Sequence, residues 1–272
     1  MNHVDAAGCA HAPCAGVPRI VSLVPSLTEL LCDLGLAGNL VGRSGFCIRP
    51  RAAVARIPKM GGTKDADIAA IRAVAPTHLV VNVDENRREQ VAELARCVPH
   101  VIVTHPLVPE DNLGLYRLFG GVFHRDAEAE ALAAGFRAAL DALRAATGGL
   151  PRRRVLYLIW KDPWMTVARG TYISAMLAAA GWDTLPEESP VRYPEIRASA
   201  CGVTGIERIL LSTEPYRFTA KHLDEAARCF GRPAQIVDGG MLSWYGSRAI
   251  PALRYLARLR EGGVPTADGP AD

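Results

Sequence analysis

Residues 126–147, DAEAEALAAGFRAALDALRAAT, form the longest uninterrupted helical pattern of the chain. Alanine and leucine, which favour helix, dominate this stretch, and it contains no proline. Its larger apolar residues recur every three or four positions and therefore share one face: Leu132, Phe136, Leu140 and Leu143. At about 1.5 Å per residue the stretch predicts a rod of about 33 Å, which is as long as a small domain is wide.

Short apolar strands alternate with helical patterns on both sides of this helix. The strands predicted before it are 19–24, 40–43, 78–82 and 101–104, and those after it are 154–159, 208–211 and 235–238. Such alternation is typical of parallel sheets that carry helices on both faces. We therefore expect an α/β protein of two Rossmann-like lobes with mainly parallel sheets, joined by a single long backbone helix, with a ligand cleft between the lobes.

These patterns divide the chain into five predicted parts. They are a disordered tail at 1–17, an N-terminal lobe at 18–124, the connecting helix at 125–148, a C-terminal lobe at 149–262 and a disordered tail at 263–272. The tails are small, polar and rich in Pro or Gly, as disordered segments are. Cys9, His11 and Cys14 in the first tail have the chemistry of soft-metal ligands, but three ligands without a fourth favour an incidental cluster.

Composition and charge exclude several classes of partner. The 31 Lys and Arg residues nearly balance the 28 Asp and Glu residues, so we expect neither nucleic acid nor an anionic membrane surface as a partner. No apolar run reaches the roughly 18 residues that a membrane span needs. The N-terminus lacks the basic and apolar regions of a signal peptide, and seven scattered cysteines suit a reducing compartment. We expect a cytoplasmic protein, with the periplasm as the alternative if the native N-terminus differs.

Two short motifs follow predicted strands of the first lobe. Pro25-Ser-Leu-Thr-Glu29 places Ser26 and Glu29 at the spacing of a capping box, which predicts a helix at 27–34. A helix N-terminus beyond the carboxyl end of a strand suits an anion or a polar group, although a simple cap explains these residues equally well. Lys59-Met-Gly-Gly62 belongs to a Gly-rich loop whose spacing is not that of a P-loop.

The order of these motifs, the long helix and the restarted α/β pattern resembles the class III substrate-binding proteins over residues 19–261. These helical-backbone metal receptors bind cobalamin, siderophores, haem or metal ions for ABC importers, and the cobalamin-binding branch is the most similar. The resemblance implies a non-catalytic protein that holds a corrinoid or another metal chelate between its lobes. No hydrolase, zinc-protease or dinucleotide motif in the sequence indicates an enzyme.

The resemblance also implies which residues contact the ligand. The matching positions are Phe46, Cys47, Thr63 and Asp84 on the first lobe and Trp160, Trp164, Tyr193, Tyr216, Trp244 and Tyr245 on the second. Aromatic side chains suit a flat macrocycle because they bury a large area at low entropic cost, although ordinary loop packing is the alternative. Arg169 flanks a cleft loop and is a candidate partner for a ligand carboxylate, phosphate or amide, whereas we interpret Arg43 and Arg248 as solvated charges.

A metal site is the alternative function. Cys47 lies in a loop that is predicted to face the cleft, and His105 follows the strand 101–104. A thiolate and an imidazole can coordinate cobalt, iron or zinc, so these residues could serve a metal-binding enzyme or a metal-handling protein on the same scaffold. A structural cysteine and a His-Pro turn explain them equally well. An interaction module without any small ligand is the third possibility.

Importer-linked relatives carry a glutamate on each lobe that docks on arginines of the permease. Ala69 and Ser199 occupy the matching positions here. Neither side chain can form a charge-assisted hydrogen bond with arginine. We therefore expect no docking on an ABC permease, and a role as a carrier, sensor or scavenger.

Overall fold

The computed structural model describes residues 3–197 and 205–262. The strands are β1 (His3–Val4), β2 (Ala10–His11), β3 (Ile20–Ser22), β4 (Leu40–Arg43), β5 (His78–Asn82), β6 (His100–Thr104), β7 (Arg153–Trp160), β8 (Met165–Thr166), β9 (Trp182–Thr184), β10 (Arg208–Ser212) and β11 (Ala234–Val237). The α-helices are α1 (Pro25–Asp33), α2 (Arg51–Val54), α3 (Ile68–Ala73), α4 (Arg88–Leu94), α5 (Asp111–Phe123), α6 (Asp126–Thr147), α7 (Tyr172–Ala179), α8 (Leu223–Phe230), α9 (Gly239–Ser243) and α10 (Ala249–Arg260).

The sheet of the first lobe is parallel throughout, in the order β4-β3-β5-β6. Successive residues of β5 face opposite sides, as strand geometry requires. Val80 packs in the cluster that contains residues of α1 and α5, whereas Leu79 and Val81 pack with residues of α3 and α4. Helices therefore cover both faces of the sheet, as the continuous apolar character of its strands predicts.

The sheet of the second lobe has the order β11-β10-β7, all parallel, with two short strands along the outer edge of β7. β9 pairs in parallel with the start of β7, and β8 pairs antiparallel with its end. β9 was not predicted, because its three residues, Trp182 to Thr184, are too few for a periodic pattern. The long β7 thus pairs with three other strands of this sheet, and its carboxyl end lies at the same edge as those of β10 and β11.

The predicted long helix is α6, which spans residues 126–147 as expected. Phe136 and Leu143 are fully buried on its inner face, where α5 and α10 pack against it. One apolar cluster runs from Ile20 in β3 through α6 to Leu259 in α10, so the two lobes share a core. Within the described ranges, no helix is both long and apolar enough to cross a membrane.

Helix α5 was not predicted, and two glycines explain why. Gly120 and Gly121 lower the helix propensity of the segment. A Cβ at Gly120 would lie 2.5 Å from the Cβ of Ala129 in α6, so a glycine is needed for the two helices to approach closely. Tertiary packing therefore overrides local propensity in this segment.

The predicted N-terminal disorder is wrong for residues 3–17. β1 and β2 form an antiparallel hairpin, and the backbone N of Ala6 donates to the carbonyl of Val103 at 2.9 Å. The buried carboxylate of Asp5 organises the hairpin, because it accepts hydrogen bonds from the backbone N of Val103 and pairs with Nε2 of His11, both at 3.0 Å. The predicted tail at 263–272 lies outside the described residues.

Candidate functional site

The carboxyl ends of the strands in the two lobes face each other across a cleft. Contacts between loops of the two lobes define it: the hydroxyl of Tyr245 donates to Oε1 of Glu85 at 2.7 Å, and Nη1 of Arg192 donates to Oδ1 of Asp84 at 2.6 Å. Several large apolar side chains remain exposed in the loops around this cleft, namely Phe46, Ile48, Val83, Val108, Trp160, Val191 and Tyr193. Exposed apolar side chains grouped in this way are typical of a ligand-binding surface.

Tyr245 and Glu85 form the centre of the cleft floor. Burial raises the pKa of Glu85 to about 7, although the hydrogen bond from Tyr245 opposes this shift. Burial also raises the pKa of Tyr245, so its hydroxyl stays protonated and donates. The ring of Tyr245 packs edge-on against Tyr172, with 5.8 Å between the ring centroids. Tyr245, a predicted ligand contact, therefore ties the two lobes together.

A buried asparagine that the sequence analysis missed supports this floor. Oδ1 of Asn112 in α5 accepts from the backbone N of Gly246 at 2.6 Å, and its Nδ2 lies 3.0 Å from the hydroxyl of Tyr172 and donates to it. The hydroxyl of Tyr116 donates to the carbonyl of Gly246 at 2.9 Å. These bonds satisfy buried polar groups and fix the turn that carries Tyr245 against the first lobe.

Asp84, His105 and Arg192 close one end of the cleft, which we term the β6 end. Nη1 of Arg192 donates to Asp84 and to Nε2 of His105 at 2.8 Å, and Nη2 donates to the carbonyl of Gly170 at 3.1 Å. Nε2 of His105 is therefore already engaged by Arg192, and it lies 3.6 Å from Oδ1 of Asp84.

A cavity of about 990 Å³ opens at the opposite end, where the loop after β4 faces the segment from β11 to α10. We term it the basic groove. Its lining residues are Glu29, Asp33, Arg43, Gly45, Ile48, Arg49, Pro50, Arg51, Val54, Ala55, Lys59, Leu132, Asp238, Met241, Ser247, Arg248, Ile250 and Pro251. None of the eleven residues predicted as ligand contacts, all of which are described, lines this groove.

Glu29 and Arg248 bridge the lobes inside the basic groove. Nε of Arg248 donates to Oε2 of Glu29 at 2.7 Å, and a second hydrogen bond links Nη2 to Oε1. Arg248 also covers the ring of Trp244, with Cζ 5.1 Å from the ring centroid. The interpretation of Arg248 as a solvated charge is therefore wrong. The capping box is wrong too, because Val24 occupies the cap position of α1 and the Ser26 side chain makes no cap hydrogen bond.

The predicted aromatic contacts separate into exposed and packed side chains. Trp160 is 41% exposed and packs edge-on against Tyr216 at 5.5 Å, and Tyr193 is 38% exposed. Trp164 instead stacks on Phe218 at 5.9 Å within the second lobe, and Trp244 is only 9% exposed beneath Arg248. The structure therefore leaves Trp160 and Tyr193 available at the cleft, whereas Trp164 and Trp244 pack within the protein.

Cys47 does not face the cleft. Its side chain is fully buried, and its Sγ lies 3.0 Å from Oγ1 of Thr28 and 3.2 Å from Oγ of Ser44. Burial raises the pKa of the thiol, which disfavours the thiolate that a metal would need. In the part of the chain that the structure describes, no three His, Cys, Asp or Glu side chains are placed to hold a metal ion. The predicted pair of Cys47 and His105, like the cluster of Cys9, His11 and Cys14, therefore gains no support.

The remaining predicted residues have different surroundings. Phe46 is 62% exposed beside the cleft, and the carbonyl of Thr63 accepts from Nδ2 of Asn86 at 2.9 Å. Arg169 is exposed and lies 3.7 Å from Glu187. Arg43, predicted to be solvated, is buried and donates to the carbonyl of Val54 at 2.9 Å.

The two positions considered for permease docking are only partly described. Ala69 is exposed on α3 and carries no charge, as the sequence requires. Ser199 lies outside the described residues. The absence of docking on a permease therefore stays a prediction.

Comparisons with known proteins agree with this architecture. A family model described as periplasmic binding protein matches residues 20–214. The vitamin B12-binding protein of Vibrio parahaemolyticus is 21% identical over 238 residues, which cover 88% of this chain and 78% of that protein. The vitamin B12-binding protein of Vibrio vulnificus is 22% identical over 214 residues, which cover 76% of this chain and 73% of that protein.

Solved structures share the fold as well. The periplasmic vitamin B12 binding protein of Vibrio cholerae superposes with a TM-score of 0.77 at 18% identity, covering 90% of this chain and 96% of that one. The periplasmic heme-binding protein of Roseiflexus sp. RS-1, in apo form, superposes with a TM-score of 0.76 at 22% identity, covering 91% and 99%. These likenesses confirm the predicted two-lobed α/β fold.

Proposed function

The chain belongs to the periplasmic binding protein family, and from that premise we propose that it binds a metal chelate of the cobalamin or haem type between its lobes. The prediction of a non-catalytic binding protein is confirmed by the family and by its vitamin B12-binding relatives. One observation supports the finer proposal: large apolar side chains of both lobes stay exposed, Phe46 and Val83 in the first lobe and Trp160 and Tyr193 in the second.

A flat metal chelate suits these side chains physically. Burying an exposed aromatic side chain against an apolar face contributes about 1.5–3 kcal/mol, so a few such contacts supply much of the binding free energy. Burial first, and the nearby charge of Asp84 second, raise the pKa of Tyr193 to about 12, so its hydroxyl remains a neutral donor. The site thus combines apolar area with a polar group that can orient a ligand.

The shared core restricts how the lobes can open. Because one apolar cluster runs through both lobes and α6, large hinge motion would break packed contacts. We therefore expect ligand entry to involve loop and side-chain movement at the cleft, with little change in the angle between the lobes.

Calorimetric titration with hydroxocobalamin and, separately, with hemin tests the proposal. We expect saturable binding of one chelate per chain and a loss of affinity of about tenfold in Trp160→Ala, which is about 1.4 kcal/mol. Leu150→Ala is the matched control, because Leu150 is also 41% exposed but lies in the loop after α6. Binding of neither chelate, or equal losses in both variants, would contradict the proposal.

A further inference from the structure

Three cationic side chains of the basic groove have no partner in the described part of the chain. Arg49, Arg51 and Lys59 are all exposed on the first-lobe wall. Within residues 3–197 and 205–262 their side chains form neither an ion pair nor a hydrogen bond. Arg43 differs, because it is buried and donates to the carbonyl groups of Val54 and Ser44.

The acidic side chains of the same groove are already engaged. Glu29 accepts two hydrogen bonds from Arg248, and Asp33 accepts one from Ser247. Asp238 caps α9 by accepting from the backbone N of Met241 at 3.3 Å. Glu214 lies near Arg49 but does not line the groove, and burial and the charge of Asp238 raise its pKa. Cationic side chains therefore outnumber acidic ones on the groove lining, five to three, and among these eight residues only cationic ones lack a hydrogen-bonding partner within the described chain.

Apolar side chains also line the groove. Ile48 and Val54 come from the first lobe, Leu132 comes from α6, and Met241 and Ile250 come from the second lobe. The cavity volume of about 990 Å³ lies at the upper end of the range for small-molecule sites, and residues of both lobes line it. A groove that combines apolar and cationic side chains is complementary to a molecule with an apolar body and anionic groups along one edge.

We propose that the basic groove receives one edge of the ligand held between the lobes, and that this ligand is an amphipathic chelate with at least two anionic groups, carboxylates or phosphates, on that edge. Arg49 and Arg51 would pair with these groups through charge-assisted hydrogen bonds, and Lys59 would add a third positive charge. The inference rests on the proposed function and narrows it: a chelate with free carboxylates binds better than one whose edge is amidated or esterified.

Direct titration of the full chain with hemin, hemin dimethyl ester and hydroxocobalamin tests this inference, with the same low concentration of neutral detergent throughout. Hemin and its ester share one macrocycle and differ only in their two carboxylates. We expect hemin to bind at least tenfold more tightly than the ester, and its affinity to fall as salt rises. The triple variant Arg49→Gln/Arg51→Gln/Lys59→Gln should lose at least tenfold in hemin affinity and bind the ester unchanged.

Arg56→Gln is the matched control, because Arg56 is exposed in the same segment but does not line the groove. Thermal unfolding of each variant separates lost binding from lost folding. Equal affinity for hemin and its ester, tighter binding of hydroxocobalamin than of hemin, or full affinity in the triple variant would overturn this inference while leaving the proposed function in place. Binding of none of the three chelates would overturn both.

Discussion

The two ends of the cleft use their charged side chains in opposite ways. At the β6 end, Arg192 is bound on both sides of the cleft, to Asp84 and His105 of the first lobe and to Gly170 of the second. In the basic groove, Arg49 and Arg51 are exposed, and neither forms an ion pair or a hydrogen bond with another described residue. The charged groups of the β6 end pair with each other within the protein, whereas Arg49 and Arg51 in the basic groove are available to pair with a ligand.

This difference arises from the side chains at each end, and not from the contacts that hold the lobes together between the two ends. Tyr245 with Glu85, and Asn112 with Gly246, hold the lobes together between the two ends. The choice of residues in each loop therefore decides which end is closed. Satisfied polar groups stabilise the protein, whereas unsatisfied charges at the rim favour binding.

The largest expected effect follows from Asn112→Ala, which removes hydrogen bonds between the two lobes. This change leaves the backbone N of Gly246 and the hydroxyl of Tyr172 without their partner in a buried site. We expect the free energy of unfolding to fall by about 3 kcal/mol, measured by urea denaturation. Asn112→Asp should lose at least as much, because a buried carboxylate oxygen would face the carbonyl of Pro109, to which Nδ2 now donates at 2.7 Å. A loss below about 1 kcal/mol for Asn112→Ala would contradict the role given to Asn112 in holding the lobes together.

Glu85→Gln tests the centre of the floor through pH. The folded pKa of Glu85 is about 7, above the ordinary 4.5, so the native state holds this proton more tightly than the unfolded state. Its contribution to stability is therefore fully present below pH 4.5 and is lost as the pH rises through 7. Glutamine keeps the acceptor for Tyr245 without the charge, so the variant should be more stable than the wild type by about 3 kcal/mol at pH 8.

The comparison with pH 5 completes this test. At pH 5 the two proteins should differ little, because Glu85 is then mostly protonated in the folded state. Glu89→Gln on the exposed side of α4 is the control and should leave the pH profile unchanged. Parallel profiles of the wild type and Glu85→Gln would contradict the role given to Glu85.

Arg192→Met opens the β6 end while retaining an unbranched side chain at this position. Partly exposed ion pairs contribute about 1 kcal/mol or less, so we expect a small loss of stability. The chelate should also dissociate faster, because one end of the cleft is no longer closed. Stopped-flow displacement measures that rate, with Arg217→Met, an exposed arginine outside the β6 end, as the control. Equal rates in the two variants would show that the β6 end does not retain the ligand.

Arg169→Gln has the smallest expected effect. Arg169 is exposed and lies 3.7 Å from Glu187, a separation at which such pairs contribute less than about 0.5 kcal/mol. Chelate affinity should change by less than twofold, although the sequence analysis named Arg169 as a ligand contact. A loss of affinity as large as that of the triple groove variant would restore Arg169 to the site and place the anionic edge elsewhere.

Local patterns predicted the elements that have strong periodicity. α6 and the strands of both lobes follow from apolar spacing. Trp160 and Tyr193 are exposed, and their contact with a ligand stays a prediction. The burial of Cys47 could not be predicted, because it depends on Thr28 and Ser44 closing around one loop position.

The contacts that shape the cleft could not be predicted for a different reason. Arg192 and Asp84 are 108 residues apart, Asn112 and Gly246 are 134 apart, and Glu29 and Arg248 are 219 apart. No local pattern links such residues, and each one by itself is of a type that is common on surfaces or in helices. The family resemblance predicted a cleft between the lobes, but it did not predict the residue pairs that close one end of this cleft.

The N-terminal hairpin has a consequence for the sheet beside it. β6 is an outer strand, and both backbone groups of Val103 are taken up by the hairpin, one by Ala6 and the other by the side chain of Asp5. An uncovered edge strand offers its free N–H and C=O groups to any other strand that it meets. Residues 3–11 therefore cover part of this edge strand and should reduce aggregation through it. A shortened chain that begins at residue 18 would be expected to self-associate through β6, even with its cleft intact.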